Sequence, residues 1–321
     1  MTSASTIEAD EMVALAAMLR ERGYRFTTVT PATHGRVLNR AAAQTPPSLR
    51  DVFGWSKPFA ADQIDAAMLA QMRKAGVLRD DDDGALRSTV RVSSIGQQLY
   101  FHSAYPTGDA ESVFLGPDTY RFVRAAGQVL DQLTANPGAP VRRAADIGCG
   151  AGPGAIMLAQ RFPEAEVYAI DINPRALALA EINARLAGAG NVACVHSDML
   201  SALEGDFDLI ISNPPYLLDA DQRAYRHGGG ELGAGLSLCI VEAAIARLAP
   251  GGTLLLYTGV AIDNGEDPFL TQSGKMLEAA RMSWKYEEID PDVFGEELET
   301  PAYAGVDRIA AVLLLARKGG V

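Results

Sequence analysis

Apolar and polar positions along the chain show two periodicities, that of an amphipathic helix and that of a half-buried strand. Apolar residues at helical spacing, among them Leu15 and Leu19, predict a helix over residues 7–22, and a second helical stretch covers residues 59–78. Alternation over residues 86–92 and 98–101 predicts two strands that form a hairpin around residues 93–96, and residues 27–30 read as a short strand. The first part of the chain is therefore expected to be a small α+β unit.

After residue 112 the pattern becomes a regular alternation of strands and helices. A helix is expected over residues 119–133, with Asp118 as its N-cap. Strands then follow at 144–147, 166–170, 192–195, 208–212, 252–257, 286–289 and 308–315, and helices at 154–161, 174–186, 236–248 and 268–281. This order predicts a Rossmann-like α/β fold, with a seven-stranded, mostly parallel sheet and helices on both faces.

We place a domain boundary near residue 112. Residues 1–112 would form a substrate-recognition or lid domain, whose helices followed by a hairpin are the order of a winged-helix-like module. Residues 113–321 would form the domain that binds a cofactor. The hairpin offers only Arg87 and Arg91 to nucleic acid, and the turn before it is acidic, which disfavours DNA binding by the first domain.

A glycine-rich turn joins the first strand of the sheet to its helix. Glycines 148, 150, 152 and 154 leave no side chain between the backbone and a ligand, at a helix start where N–H groups are free. Asp146 precedes the turn and can accept its N–H groups, and Cys149 fits as a small residue within it. The turn predicts a site for a nucleotide-like cofactor.

Three polar residues follow the next strands, at the edge where such sheets bind ligands. Asp171 lies about twenty residues beyond the glycines, as expected of an acceptor for ribose hydroxyls, and Asp198 could accept from an adenine amino group, with Met199 and Leu200 over the ring. Asn213 ends the fourth strand. The predicted cofactor residues are Thr119, Asp146, Gly148, Cys149, Gly150, Gly152, Asp171, Ile172, Asp198, Met199 and Asn213.

The tetrapeptide Asn213-Pro-Pro-Tyr216 is the strongest candidate for chemistry. Its prolines fix the backbone, so the Asn213 amide oxygen and the Pro214 carbonyl can both accept from one NH2 group. Such acceptors aim the nitrogen lone pair at an electrophile, and Tyr216 could stack on a planar substrate. We therefore predict Asn213, Pro214, Pro215 and Tyr216 as the catalytic residues, with no need for a metal or a catalytic histidine.

In these motifs the chain resembles the class I S-adenosylmethionine-dependent methyltransferases. The resemblance rests on Asp146-Ile-Gly-Cys-Gly-Ala-Gly152, Asp171, Asp198 and Asn213-Pro-Pro-Tyr216, in the family's order, and covers residues 113–321. It implies S-adenosylmethionine as cofactor, methyl transfer to a nitrogen on a planar group, and a last strand that is antiparallel to the others.

Within that family the chain is most similar to the HemK-like glutamine methyltransferases of peptide chain release factors and their small-domain relatives. The features that carry this are Asn213-Pro-Pro-Tyr-Leu217, Gly228-Gly-Gly-Glu-Leu-Gly-Ala-Gly235 and Leu115-Gly-Pro-Asp-Thr119. Gly116 stands where that group usually has arginine, and the first domain is longer than the group's usual helical bundle. The resemblance implies a protein glutamine as the methyl acceptor.

Several alternatives remain at the level of sequence. The net charge of -12 favours a protein or small-molecule substrate over an RNA or DNA base, because phosphates are repelled at long range. A non-methylating use of S-adenosylmethionine, such as cyclising its aminobutyrate arm, needs only another nucleophile. The glycine turn with Asp171 also fits an NAD-dependent oxidoreductase, and a cofactor-sensing, DNA-binding module is a non-enzymatic alternative.

The remaining features of the sequence predict where the protein is located in the cell and which residues line the entrance to the substrate site. Three cysteines without C-x-x-C spacing, a polar start and no apolar run of about 18 residues indicate a reduced, cytoplasmic protein that does not enter membranes. Phe114, Tyr120, Tyr303 and residues 296–299 are candidates for lining the substrate mouth. His196 and His227 are interpreted as surface or packing residues. Nothing in the sequence indicates an oligomeric state.

Overall fold

The computed structural model describes residues 4–40, 46–81, 84–135, 140–219, 223 and 225–320. The α-helices are α1 (Ala4–Glu21), α2 (Pro31–Leu38), α3 (Leu49–Phe53), α4 (Ala66–Lys74), α5 (Pro117–Ala135), α6 (Pro153–Arg161), α7 (Pro174–Leu186), α8 (Gly235–Arg247) and α9 (Pro268–Ala279). The strands are β1 (Leu78–Asp80), β2 (Leu86–Ser88), β3 (Val90–Ile95), β4 (Gln98–Ser103), β5 (Arg143–Ile147), β6 (Glu166–Asp171), β7 (Val192–His196), β8 (Phe207–Ser212), β9 (Leu248–Asp263), β10 (Ser283–Asp290) and β11 (Val306–Arg317). Short 3-10 helices lie at Ala61–Gln63, Glu231–Gly233, Gly295–Glu299 and Pro301–Tyr303.

The central sheet has seven strands in the order β10-β11-β9-β8-β5-β6-β7. Strands β7, β6, β5, β8 and β9 run parallel, whereas β11 is antiparallel to both β9 and β10. The predicted seven-stranded, mostly parallel sheet and the antiparallel last strand are therefore confirmed. Strand β9 extends to Asp263, well past the predicted end at residue 257, because β11 continues to pair with it as far as Val306.

Two apolar layers cover the two faces of this sheet, which confirms helices on both sides. One layer contains Phe122 and Leu130 of α5 together with Ile156 of α6. The other contains Ile240 of α8 and Leu277 of α9. Each such side chain, when fully buried, contributes about 1.5–3 kcal/mol through removal of apolar surface from water.

The first hundred residues depart from expectation in several places. The first helix is present as α1, but residues 27–30 form no strand, α2 and α3 were not predicted, and only residues 66–74 of the second helical stretch are α-helical. The strand expected over residues 86–92 is two strands, because β2 pairs with β1 whereas β3 pairs with β4 in a separate sheet. Between them, Ser88 Oγ donates to the Val90 carbonyl at 2.7 Å. The hairpin is β3–β4, and its turn lies at Gly96 and Gln97 rather than at residues 93–96.

A buried asparagine joins the first part of the chain to the sheet domain. Asn183 of α7 accepts from the Phe101 N–H at 2.8 Å and donates to the Phe101 carbonyl at 3.0 Å. Its amide also donates to the Ala151 carbonyl, in the glycine turn, at 2.9 Å. Strand β4, helix α7 and the turn are therefore held in one arrangement. Whether residues 1–112 fold as a separate domain stays a prediction.

Candidate active site

A cavity of about 490 Å³ opens at the carboxyl ends of β5, β6 and β8. This volume is typical of sites for small molecules and cofactors. It contains most of the predicted site residues, namely Thr119, Gly148, Gly150, Asp171, Ile172, Asp198, Met199, Asn213, Pro214, Pro215 and Tyr216. The fold thus brings together side chains that lie up to 97 positions apart, from Thr119 to Tyr216.

The glycine turn presents its backbone to this cavity. Gly148 and Gly150 have φ angles of 70° and 53°, a region that favours glycine, and a Cβ added at either position would meet nothing within 4 Å. The Gly148 N–H donates to the Ile170 carbonyl at 2.8 Å, so the turn is fastened to β6. The open space in front of a rigid backbone fits the close approach of a nucleotide-like cofactor.

Three of the predicted cofactor residues lie behind the turn rather than on the cavity surface. Asp146 is buried and its Oδ2 accepts from the Ala155 N–H at 2.8 Å, in the first turn of α6, while burial raises the pKa of this carboxyl to about 7. Gly152 has φ 84°, and a Cβ there would lie 3.1 Å from the Ala180 Cβ. Cys149 is buried, and burial raises the pKa of its thiol. All three hold the turn in position.

Asp171 ties the glycine turn to the end of β6. Its Oδ2 accepts from the Gly150 N–H at 2.9 Å and its Oδ1 accepts from the Asn173 N–H at 2.9 Å. Burial raises the pKa of this carboxyl. Because a carboxylate has about four acceptor positions, the group keeps capacity for ribose hydroxyls. Ile172 beside it is 55% exposed, which gives the cavity an apolar surface against which a planar ring can pack.

We expect Asp171→Ala to weaken S-adenosylhomocysteine binding by about 10- to 100-fold, the scale of a lost hydrogen bond to a charged group. The substitution removes the acceptor for the Gly150 N–H and the acceptor predicted for the ribose hydroxyls. Isothermal titration calorimetry measures the effect. A matched control is Asp208→Ala, since Asp208 also accepts from two backbone N–H groups, at 2.8 and 3.0 Å, but lies at the opposite end of β8. Equal affinities in the two variants would contradict a ligand role for Asp171.

The tetrapeptide follows β8 directly and faces the same cavity. Asn213 is half-buried, and none of the hydrogen bonds among the described residues involves its side-chain amide, so this group is available to a ligand. The Tyr216 ring is 5% exposed, lies edge-on to Phe294 at 5.8 Å and packs against Gly259, where an added Cβ would be 2.1 Å from the ring. A stacking role for Tyr216 stays a prediction.

Asp118 is a site residue that sequence reasoning missed. It was expected as an N-cap, yet it lies inside the first turn of α5, and its carboxylate accepts from the hydroxyls of Tyr216 and, at 3.0 Å, of Tyr257. Arg121 lies 3.4 Å away and donates to Asp290 at 2.9 Å. Burial raises the pKa of Asp118 to about 6. The carboxylate therefore anchors the last residue of the tetrapeptide.

Residues outside the predicted set complete the cavity wall. Pro31 and Tyr105 come from the first part of the chain, and Arg223, Tyr225 and Arg226 come from the segment after the tetrapeptide. No local pattern marks these residues, because each reaches the cavity through the arrangement of distant elements.

Only some of the residues proposed for the substrate mouth lie at the cavity. Phe114 and Glu296 line the cavity. Tyr120, Tyr303 and residues 297–299 are not among its lining residues. The hydroxyls of Tyr120 and Tyr303 instead accept from the N–H groups of Thr28 and Leu218, at 3.0 and 2.9 Å. Among the described residues, no group of three or more His, Cys, Asp or Glu side chains could hold a metal ion, and no helix is long and apolar enough to cross a membrane.

Comparison with known proteins matches residues 123–264 to the methyltransferase small domain. A release factor glutamine methyltransferase of Deinococcus radiodurans is 35% identical over 201 residues, which cover 60% of this chain and 66% of that protein. A ribosomal protein uL3 glutamine methyltransferase of Neisseria meningitidis serogroup A is 35% identical over 131 residues, which cover 37% of this chain and 43% of that protein. The match thus spans less than two thirds of either relative's length.

A solved structure of precorrin-6y C5,15-methyltransferase from Geobacter metallireducens superposes with a TM-score of 0.41 at 18% identity, covering 66% of this chain and 95% of that one. The family match and the named relatives favour a methyltransferase over the oxidoreductase that the glycine turn alone also fits. Residues 123–264 of this chain therefore match the methyltransferase small domain, and the sequence relatives named here are methyltransferases.

Proposed function

We propose that this protein transfers a methyl group from S-adenosylmethionine to the side-chain amide nitrogen of a glutamine in a protein. The observation that carries the proposal is the Asn213-Pro-Pro-Tyr216 tetrapeptide, whose Asn213 amide faces the same cavity as the glycine turn and has no partner among the described residues. The relatives named as glutamine methyltransferases of a release factor and of ribosomal protein uL3 support a protein substrate.

The cofactor would be held by backbone and side chains of three strand ends. The backbone of Gly148 and Gly150 would receive it, Asp171 would accept from its ribose hydroxyls, and Ile172 and Met199 offer apolar surface to its adenine ring. When bound, S-adenosylmethionine supplies an electrophilic methyl group on a sulfonium. Asp198, which is exposed beside Met199, would accept from the adenine amino group.

The tetrapeptide would orient the accepting nitrogen. The Asn213 side-chain oxygen and the Pro214 carbonyl would accept hydrogen bonds from the two N–H groups of the glutamine amide, which turns the nitrogen lone pair toward the cofactor. As the N–C bond forms and the S–C bond breaks, S-adenosylhomocysteine would leave with the electron pair on sulfur, and the nitrogen would release one N–H proton to solvent. Pro215 fixes the backbone that carries these acceptors. Positioning of this kind provides a large share of the rate, about 7–11 kcal/mol in well-oriented reactions, without an acid or a base of shifted pKa.

The decisive experiment is mass spectrometry of a release factor and of ribosomal protein uL3 from the same cell, after incubation with this protein and isotope-labelled S-adenosylmethionine. We expect one labelled methyl group on a single glutamine of one of the two proteins. Ribosomal RNA is incubated in parallel. Label on a nucleobase with none on glutamine would replace the proposal with a base methyltransferase, and label on neither protein would overturn it.

A further inference from the structure

A second groove, of about 570 Å³, lies on the first part of the chain beside α5. Its walls come from the segment after α1, from α3 and the residues after it, from the β3–β4 turn and from the start of α5. We call it the Arg25/Arg50 groove and define it by Arg25, Phe26, Arg50, Trp55, Ile95 and Tyr120. Nothing in the proposed chemistry uses these residues.

The groove carries positive charge in an acidic protein. Arg25 and Arg50 both line it, and none of its lining residues is an Asp or a Glu, although the chain has a net charge of -12. Neither arginine is in an ion pair with a carboxylate of the described residues, whereas neighbouring Arg22 and Arg87 pair with Asp65 and Asp81. Two guanidinium groups are therefore left to attract an anionic ligand.

Both arginines are nevertheless held in place. Arg25 donates to the side-chain oxygen of Gln97 at 2.6 Å and to the Gly96 carbonyl, both in the β3–β4 turn. Arg50 donates through Nε to the Arg25 carbonyl at 3.1 Å, and none of the hydrogen bonds among the described residues involves its terminal nitrogens. Cations that are fixed before binding lose less conformational entropy when they contact a ligand.

The floor of the groove is aromatic and rigid. The Phe26 and Trp55 rings meet edge-on with centroids 5.1 Å apart. An added Cβ at Gly54 would lie 2.3 Å from the Phe26 ring, so this ring packs closely against the backbone of Gly54, directly after α3. A flat apolar floor beside two cations suits a ligand that combines carboxylates with an apolar or aromatic side chain.

A stack of rings connects this groove to the active-site cavity. Trp55 of the groove lies 5.2 Å from the buried His34, and His34 stacks on Tyr105 at 4.0 Å, with an angle of 28° between the ring planes. Tyr105 lines the active-site cavity. The two sites are therefore neighbours across one aromatic wall, within reach of a single extended peptide.

We propose that the Arg25/Arg50 groove docks an acidic segment of the protein substrate and so holds its glutamine near Asn213. This inference rests on the proposed function, since it names the feature by which the same protein substrate would be recognised. Charge complementarity favours an acidic peptide, and the overall charge of -12 opposes a nucleic acid at long range.

Tryptophan fluorescence measures binding of a peptide to the Arg25/Arg50 groove without any need for turnover. The chain has two tryptophans, so Trp284→Phe leaves Trp55 in the groove as the reporter. The probe is a short glutamate-rich peptide with one phenylalanine, compared with the same peptide carrying glutamine at each glutamate, and with a single-stranded oligonucleotide. We expect saturable, salt-sensitive quenching with the acidic peptide alone. Equal binding of the glutamine peptide, or tighter binding of the oligonucleotide, would overturn the proposal.

Reversing the charge of the two arginines tests whether the acidic peptide binds in the Arg25/Arg50 groove. In the same background, Arg25→Glu with Arg50→Glu is expected to weaken binding of the acidic peptide about tenfold or more, because two attractions become two repulsions. The matched control is Arg73→Glu with Lys74→Glu, an exposed basic pair on α4 outside the groove. If the groove variant binds as tightly as this control, the docking site is wrong.

Methylation assays then distinguish a failure of the proposed docking site from a failure of the proposed function. For a protein substrate, the groove variant should show a KM about tenfold higher with kcat unchanged, and unchanged kinetics with a short peptide that contains only the glutamine and its neighbours. Absence of any glutamine product from the unaltered enzyme would contradict the proposed function, while the fluorescence result would still decide the docking site.

Discussion

Replacement of Asn213 by alanine is expected to lower kcat by about 10²- to 10³-fold, the scale seen when one preorganised hydrogen-bonding group is removed from an active site. Asn213 is the side chain whose amide faces the cavity without a partner among the described residues. Its loss leaves the Pro214 carbonyl as a single acceptor, so the substrate nitrogen can rotate away from the cofactor. Single-turnover kinetics with the methylated protein as readout measure the effect.

The same variant should bind S-adenosylhomocysteine with an affinity within about twofold of the unaltered protein, because the glycine turn and Asp171 are untouched. Asn213→Asp is the informative companion, since it keeps the size of the side chain and an acceptor oxygen. We expect it to retain more activity than the alanine variant. Turnover that survives in Asn213→Ala would show that the amide oxygen does not orient the nitrogen.

The parts of the fold that sequence predicts best are those specified by short-range patterns. Strand β5 and its glycine turn are recognisable because an apolar run ends in residues that tolerate φ angles of 53–84° at Gly148, Gly150 and Gly152. The parallel strands are buried on both faces, which produces nearly continuous apolar runs such as residues 207–212. Their ends then coincide with the predicted polar residues of the site.

Features specified by distant partners could not be predicted in this way. Asp118 reads locally as a helix cap, and only the folded chain brings it to Tyr216 and Tyr257, which lie 98 and 139 positions away. Similarly, Tyr105 reaches the cavity wall through its stack on His34. The short helices α2 and α3 have only eight and five residues, too few for a clear helical period.

Removal of the Asp118 carboxylate is expected to destabilise the protein by about 2–6 kcal/mol. Asp118→Ala leaves the buried hydroxyls of Tyr216 and Tyr257 without their acceptor, at a cost of about 1–3 kcal/mol each. Without its anchor the Tyr216 ring can shift, so kcat should fall as well. Asp118→Asn is the control, because an amide of the same shape can accept from one hydroxyl and donate to the other. Urea denaturation measures the stabilities, and equal values for all three proteins would show that the carboxylate anchors nothing.

The pH dependence of stability in the unaltered protein and in Asp118→Asn tests the charge on Asp118 directly. Burial raises the pKa of this carboxyl from the ordinary 3.8 to about 6, so the folded protein holds the proton more tightly than the unfolded chain. The associated stability is fully present below about pH 4 and is lost as the pH rises through about 6, by an amount on the order of 3 kcal/mol. The amide that replaces the carboxyl in the variant does not titrate. The free energy of unfolding of the unaltered protein should therefore decline relative to that of Asp118→Asn between about pH 4 and pH 6, and a constant difference would show that Asp118 ionises at its ordinary pKa.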